Sequence, residues 1–434
     1  MKYIFLYAII FFFSLNLIIS QENLTLEDAI QLGIKNNFSV NLQRLNVKKS
    51  ENSMAIAKAG FLPSLDLNVN KNNSNNNVNQ EFVDGRRIER SGATSNSLDA
   101  SLKTQWTIFD GFEMFIDYDL LKLSDDIEKL KLKREIENLI QEIITRYSEL
   151  IIFKDAINLS SDNLQVSRER YRIISDKKDV GKSSAMDLIN AEVDMNRDIT
   201  DSIEVYNNFI KSKTNFNQVL GRDIKLEFNP VDSLFLMNEN FDLSKLMLQI
   251  ENNTDLKLAE LGIEVSKKDI EKLKSNYYPK ISLFGGYSYS SLESQAGFLK
   301  SNTTNGFNYG VTFSMNIFEG FRNNTLIENN QVNLEMSKLS KQELVSFLEK
   351  EINNTLISIN KSKEVLNFNI KNYELALKNL SIAQEKLLSG AITQIEFREA
   401  QLKAIQSYNL ILSEKLNQKT NETYLMKIIG QIVK

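Results

Sequence analysis

The chain has 434 residues, with 52 Lys and Arg against 56 Asp and Glu, a formal charge of −4 and a pI near 5.4. It holds no histidine and no cysteine, which excludes Ser-His and Cys-His nucleophile pairs, zinc centres of the usual ligand sets and any disulfide framework. The acidic balance argues against nucleic acid as a partner, and three prolines with sixteen glycines leave too little turn punctuation for a compact multidomain enzyme.

Residues 1–20 read as a secretory signal peptide. Lys2 precedes an apolar run from Ile4 to Ile19, Ser20 is small, and Gln21-Glu22 is polar. A membrane anchor is the rival reading, for which the run is short. Thr25 then reads as the N-cap of a helix expected from Leu26 to about Ala59, ended by Gly60 and Pro63. Beyond it the period changes to two. Leu65, Leu67 and Val69 alternate with Asp66, Asn68 and Asn70; an Asn-rich loop is expected next; and Leu98, Ala100, Leu102, Thr104, Trp106 and Ile108 then form one face of a strand.

Trp106-Thr107-Ile108-Phe109-Asp110-Gly111-Phe112 opens a long helix. No proline or internal glycine interrupts residues 112–175, a rod of about 64 residues and ~95 Å. Ile116, Leu120, Leu123, Ile127 and Leu130 make one apolar stripe, and Leu132, Ile136, Leu139 and Ile143 make a second, so the rod has two helical neighbours. Glu135 and Glu137 read as exposed on it. A charged turn at 176–183 around Gly181 leads into a return helix from about Ser184 to Leu220.

All of this is written twice. Met315-Asn316-Ile317-Phe318-Glu319-Gly320-Phe321 repeats the Phe-acid-Gly-Phe heptapeptide 209 residues on, and the same shift carries Gly181 to Gly390 and Gly221 to Gly430. The domains read as a first structural repeat at 21–221, a linker at 222–242 and a second repeat at 243–434. In the second copy Ile281, Leu283, Gly285, Tyr287 and Tyr289 face one way. Phe307, Tyr309, Val311, Phe313, Met315 and Ile317 form an aromatic and aliphatic strand face against Asn308, Gly310, Thr312, Ser314 and Asn316. A soluble sandwich would alternate likewise. A membrane barrel is favoured by strands near ~10 residues and by aromatics at the helix–strand junctions, namely Phe61, Trp106, Phe109, Tyr277, Tyr278 and Phe318. Four strands cannot close a barrel, so other copies of the chain must complete it; three copies give 12 strands and a wettable lumen.

The order of helix, Phe61-Leu62-Pro63-Ser64-Leu65, hairpin, Phe-acid-Gly, long rod, Gly turn and return helix, all duplicated, resembles the TolC-type outer-membrane efflux proteins. Leu24-Thr25-Leu26-Glu27-Asp28-Ala29-Ile30 followed by Asn36-Asn37 is similar to that family's opening signature, with Phe38 where it has proline. The fold class is therefore mixed and mainly α: a duplicated strand-hairpin and long-helix unit, forming a trimeric 12-stranded outer-membrane β-barrel continued by a periplasmic α-helical barrel. The resemblance implies a homotrimer in the outer membrane of a Gram-negative bacterium, extending into the periplasm and in contact with outer-membrane lipid. It also implies a periplasmic adaptor and an inner-membrane pump of RND, ABC or MFS type as partners. It further implies a passive exit duct for efflux or type I secretion, with no cofactor and no catalysis. A secreted coiled-coil surface protein is the alternative.

By the same resemblance, the turns at Gly181 and Gly390 form the periplasmic tip, and Glu396 and Glu399 stand where the family narrows its tunnel. Three copies would stack these as two carboxylate rings whose like charges raise one another's pKa; ordinary solvated helix surface is the plainer reading. Asp187 is the equivalent acid in the first repeat. Leu387 and Ile392 replace the tyrosine and arginine that the family uses to hold the tip shut. Gly181-Lys182-Ser183 lacks the first glycine and the preceding strand of a phosphate loop. Cargo is not legible.

Overall fold

The computed structural model describes residues 22–237, 241–296 and 299–433; the expected signal peptide lies outside them. In chain order the elements are β1 (Glu22–Leu24), α1 (Leu26–Asn36), α2 (Phe38–Ser53), β2 (Ser64–Glu81), β3 (Arg87–Phe109), α3 (Glu113–Asp179), α4 (Ala185–Val219), β4 (Phe228–Pro230), α5 (Leu243–Leu248), α6 (Thr254–Ser275), β5 (Lys280–Ser294), β6 (Ser301–Ser314), α7 (Arg322–Ser389) and α8 (Gln394–Ile428). The fold is mixed and mainly helical. Two compact units emerge, each drawing residues from both sequence repeats. One comprises the described parts of Met1–Leu45, Leu130–Lys257 and Gln342–Lys434, and the other Asn46–Lys129 and Leu258–Lys341. Among the described residues no helix is long and apolar enough to cross a membrane.

The first unit is helical, with two equivalent cores. Leu139, Ile143, Leu150, Phe216 and Leu220 are buried in one; Leu348, Ile352, Ile359, Leu425 and Ile429, each 209 residues later, are buried in the other. Leu132 and Ile136, the rest of the second rod stripe, pack against the first core. Tyr147 anchors the chain start, its hydroxyl donating to the Leu24 carbonyl at 2.8 Å and to Asp232 at 3.0 Å. Burial pushes its pKa up to about 12.

The expected continuous first helix is broken at Asn37 and ends at Ser53. The break is a lock. Asn37 Oδ1 accepts the Ser39 and Val40 amides at 2.9 and 3.2 Å, starting α2, while Asn37 Nδ2 donates to the Val219 carbonyl at the end of α4. The second repeat builds the same lock: Asn253 Oδ1 accepts the Leu256 amide at 3.0 Å, and Nδ2 donates to the Ile428 carbonyl at 2.8 Å. An asparagine side chain suits this place because it both accepts for a helix start and donates to a helix end. Gly221 and Gly430 complete each lock in the left-handed region, at φ 68°. A Cβ at either would stand 2.5 Å from the Asn36 or the Asn252 carbonyl oxygen. Gly430→Ala combines that clash with left-handed strain, so its unfolding free energy should fall by about 2 kcal/mol or more. Chemical denaturation should show it; a midpoint equal to wild type would mean that the lock yields freely.

The second unit carries one antiparallel sheet in the order β2-β3-β5-β6. The expected Asn-rich loop is strand: β2 and β3 pair through Asn72–Ser97 and Asn75–Thr94 up to Glu81–Arg87, and Gly85 (φ 86°) serves the tight turn. Backbone pairing thus continues where hydrophobic alternation has faded, with amide and hydroxyl side chains opposite one another in register. At the other end β6 stops at Ser314, so Met315 and Ile317 lie beyond the strand that was expected to include them. The register aligns the apolar set on one face. Leu67 pairs with Leu102, Leu102 with Tyr287 and Tyr287 with Phe307; Trp106 pairs with Leu283 and Leu283 with Val311. Residues directly opposite in an antiparallel ladder share a face. That face is bare in the single chain, Phe307, Tyr309, Val311 and Phe313 being all more than 60 % exposed.

Candidate functional site

Both helical hairpins turn on a left-handed glycine, Gly181 at φ 73° and Gly390 at φ 76°. The Gly181 amide bonds the Lys178 carbonyl and the Lys182 amide reaches the Lys177 carbonyl at 2.7 Å; Gly390 to Leu387 and Ala391 to Lys386 repeat the pattern. This is the glycine helix stop that satisfies terminal carbonyls. The residues around the two turns differ. The first is charged, with Lys177, Lys178, Asp179 and Lys182; the second is Leu388-Ser389-Gly390-Ala391-Ile392.

Each return helix starts with a capping box, and two of the three sequence-predicted acids, Asp187 and Glu396, belong to these boxes. Ser184 accepts the Asp187 amide at 3.1 Å and its own amide donates to Asp187 at 3.0 Å. Thr393 does the same with Glu396, at 3.3 and 2.7 Å. The Ser184 hydroxyl and amide hold the Asp187 carboxyl below its ordinary range. Within the single chain, the Thr393 amide and hydroxyl bind the charged form of Glu396 and hold it below its ordinary range. Glu399 turns the other way, to Lys403 at 2.9 Å, and both side chains are exposed. Asp187 also accepts from Gln394 Nε2 at 3.3 Å, tying one return helix to the other. Leu387 is buried with Ile174, Ala191, Ala383, Phe397 and Ala400, and the Lys177 ammonium donates to its carbonyl. Apolar packing and a backbone tie thus occupy the place where the resemblance puts a polar link.

One charged cluster was not foreseen. The Arg398 guanidinium forms a fork onto Asp198, at 2.7 and 2.8 Å, with both groups buried. Ser167 donates to the same carboxylate. Gln401 bridges to Asn163 and Ser167 at 2.6 and 2.8 Å, and buried Arg170 pairs with Asp194 at 2.8 Å. Burial pushes the Asp198 carboxyl up, but the Arg398 and Ser167 hydrogen bonds outweigh it and leave the group below its usual range. A groove of about 390 Å³ opens alongside, lined among others by Arg197, Asp201, Glu204 and Leu402. The available signal was Asp194 and Asp198 one helical turn apart, with Arg398 and Gln401 on the apolar face that carries Phe397, Ala400 and Ala404. Glu137, expected to be exposed, is buried and accepts from the Thr254 hydroxyl at 2.9 Å.

The junction aromatics assemble in the sheet unit. Phe61 meets Phe115 edge-on at 5.0 Å, Phe109 meets Phe112 at 5.3 Å, and Phe112 meets Tyr278 at 6.2 Å. Trp106 Nε1 donates to the Phe61 carbonyl at 2.9 Å. In the second repeat Phe318 meets Phe321 at 5.5 Å, and the Tyr277 hydroxyl donates to Asn324 at 2.6 Å. Phe112 and Phe321 both adopt positive φ, at 68° and 62°, directly after a left-handed glycine. Among the described residues no cluster of carboxylates could hold a metal ion.

The model of the outer membrane efflux protein family matches residues 29–222 and 246–431, one match in each half. Nodulation protein T of Rhizobium leguminosarum bv. trifolii is 20% identical over 390 residues, covering 87% of this chain and 79% of that protein. Outer membrane protein TolC of Salmonella enteritidis is 22% identical over 330 residues, 71% of this chain and 64% of that protein. Among solved structures, the CmeC outer membrane channel of Campylobacter jejuni superimposes with a TM-score of 0.77 at 16% identity, covering 95% of this chain and 86% of that one.

Proposed function

The chain belongs to the outer membrane efflux protein family, and on that premise we propose that three copies form the passive exit duct of a tripartite export machine. It is an outer-membrane channel protein and not an enzyme. Its three four-stranded sheets would close a 12-stranded barrel, and its helices would continue the lumen as a periplasmic tunnel. Residues 1–20 are read as a cleaved signal, and 21–221 and 243–434 as two repeats joined by 222–242. An adaptor and an inner-membrane pump would engage the turns at Gly181 and Gly390. Phe61, Trp106, Phe109, Tyr277, Tyr278 and Phe318 would lie at the membrane interface.

One observation carries the assembly: a four-stranded sheet with a continuous bare apolar face and two unpaired edges. Lipid tolerates neither a lone open sheet nor unpaired backbone groups, so closure by further copies answers both. Exposed apolar stripes on the helices, such as Met186, Ile189 and Val193 on α4, fit a chain that packs against its own copies. The family match favours this duct over a secreted coiled-coil filament. Native mass spectrometry in detergent should give trimers, and those trimers should conduct ions in a planar bilayer. Monomers that conduct nothing would refute the assembly.

Asp187, Glu396 and Glu399 are proposed to set the field at the tunnel's narrow end. Glu396 also starts α8, so Glu399→Gln is the cleaner probe. It removes three charges per trimer and leaves the capping box intact. Cation preference and block by periplasmic divalent cations should both weaken severalfold. Unchanged selectivity in Glu399→Gln would leave Glu399 as solvated helix surface.

A further inference from the structure

The polar face of the sheet carries a single aromatic side chain along its aligned rows. Asp66, Asn68 and Asn70 on β2, Ser101, Lys103 and Gln105 on β3, and Asn308, Gly310 and Thr312 on β6 are small or hydrophilic; on β5 Phe284 stands between Ser282 and Gly286. Phe284 pairs with Gln105 on one side and Gly310 on the other. Its ring lies across Gly310: a Cβ built there would be 2.6 Å from Phe284 Cζ and 2.9 Å from Cε1. The ring therefore shares the face of Asn308 and Thr312, and 41% of the residue is exposed. In the next row Lys103 stands beside Gly286, its Cγ 3.4 Å from where a Cβ would lie there, and opposite Asp66. Asp99, flanked in the register by Asn70 and Ser290, adds a carboxylate to this face with no cation opposite it.

We infer that Phe284 is a cargo-contacting residue of the barrel lumen, forming with its two copies an aromatic belt that favours lipophilic organic cations. This rests on the proposed trimer, in which the polar face lines the lumen. The physical case is selective. An aromatic face attracts a cation and gives apolar surface a place to leave water, whereas polar neighbours in these rows such as Gln105, Ser282 and Thr312 offer hydrogen bonds to hydrated ions. Lys103 faces Asp66 and Asp99 is unopposed, so the local charge does not repel a cation. The competing role is covering a bare glycine, for which any bulky side chain would serve.

Trimers in planar bilayers can be titrated with tetraphenylphosphonium from the extracellular side, with tetramethylammonium as the small hydrophilic control. Phe284→Leu keeps bulk over Gly310 and removes the ring. It should weaken tetraphenylphosphonium block by about three- to tenfold and leave tetramethylammonium unaffected. Phe284→Trp enlarges the ring and should block at least as tightly as wild type. If both variants conduct and share the wild-type block constant, Phe284 only packs on Gly310 and the inference fails. Wild-type trimers without conductance would instead bring down the channel assembly itself, and the belt with it.

Discussion

Asp198→Ala is expected to destabilise the helical unit by about 3–5 kcal/mol, among the largest single-residue effects in the chain. The substitution removes the acceptor of both Arg398 bonds and of the Ser167 hydroxyl, and leaves a buried guanidinium without its closest carboxylate. What is lost is chiefly the neutralisation of a buried guanidinium, so the partner should be decisive. Asp198→Leu combined with Arg398→Met replaces the pair by apolar groups and should recover most of the loss. Denaturant midpoints of the single and double variants test this. If the double variant is as weak as the sum of its singles, the pair is not coupled as its geometry demands. The pH dependence has a definite sign. The Asp198 carboxyl sits below its usual range when folded, so its stabilisation is complete above an unfolded value near ~3.9 and is lost as pH falls through the lower folded value. Wild type should thus lose stability towards strong acid, and the apolar double variant should lose less.

The second large effect lies on the sheet. Arginine at Tyr309, Val311 or Phe313 would place a charge on the face that is read as meeting hydrocarbon, at ~2–4 kcal/mol near mid-membrane. Assembly or insertion should be impaired in each. Arginine at Thr312 or Ser314, on the opposite face of the same strand, should be much milder. Yields of heat-stable trimers from outer-membrane fractions compare the two sets, and equal damage in both would show that the facing is wrong.

How far the sequence carried depended on the length scale of the signal. Period-two alternation found the apolar rows of all four strands except at their junction ends, where Met315 and Ile317 lie beyond β6 and the register shifts past Ile108, because cross-strand pairing aligns residues that already alternate. The long helices were plain from the lack of glycine and proline, and the left-handed glycines marked all four helix ends. Three features escaped. The Asn-rich hairpin reads as a loop by composition, and only its cross-strand partners reveal a ladder. The break at Asn37 depends on a carbonyl 182 residues away. The Arg398–Asp198 pair joins residues 200 positions apart, and each alone looks like surface charge. Glu396 was found for its position, but its local bond to the start of its own helix is a chemical duty that spacing to Glu399 did not suggest.

Phe112 and Phe321 each hold a left-handed backbone next to a left-handed glycine, at matching places in the two halves. For a bulky residue that posture costs about 1–2 kcal/mol. An unfavourable posture shared so closely is inherited more easily than invented twice. It points to an ancestor of half the present length that already turned its chain this way. Six such ancestors around a sixfold axis would have filled the places that six halves of three chains would fill in the proposed duct. On that history the charged turn at Gly181, the apolar turn at Gly390 and the longer first hairpin are later divergences between once-identical neighbours. They are what would have lowered a sixfold arrangement to the threefold one of the proposed duct.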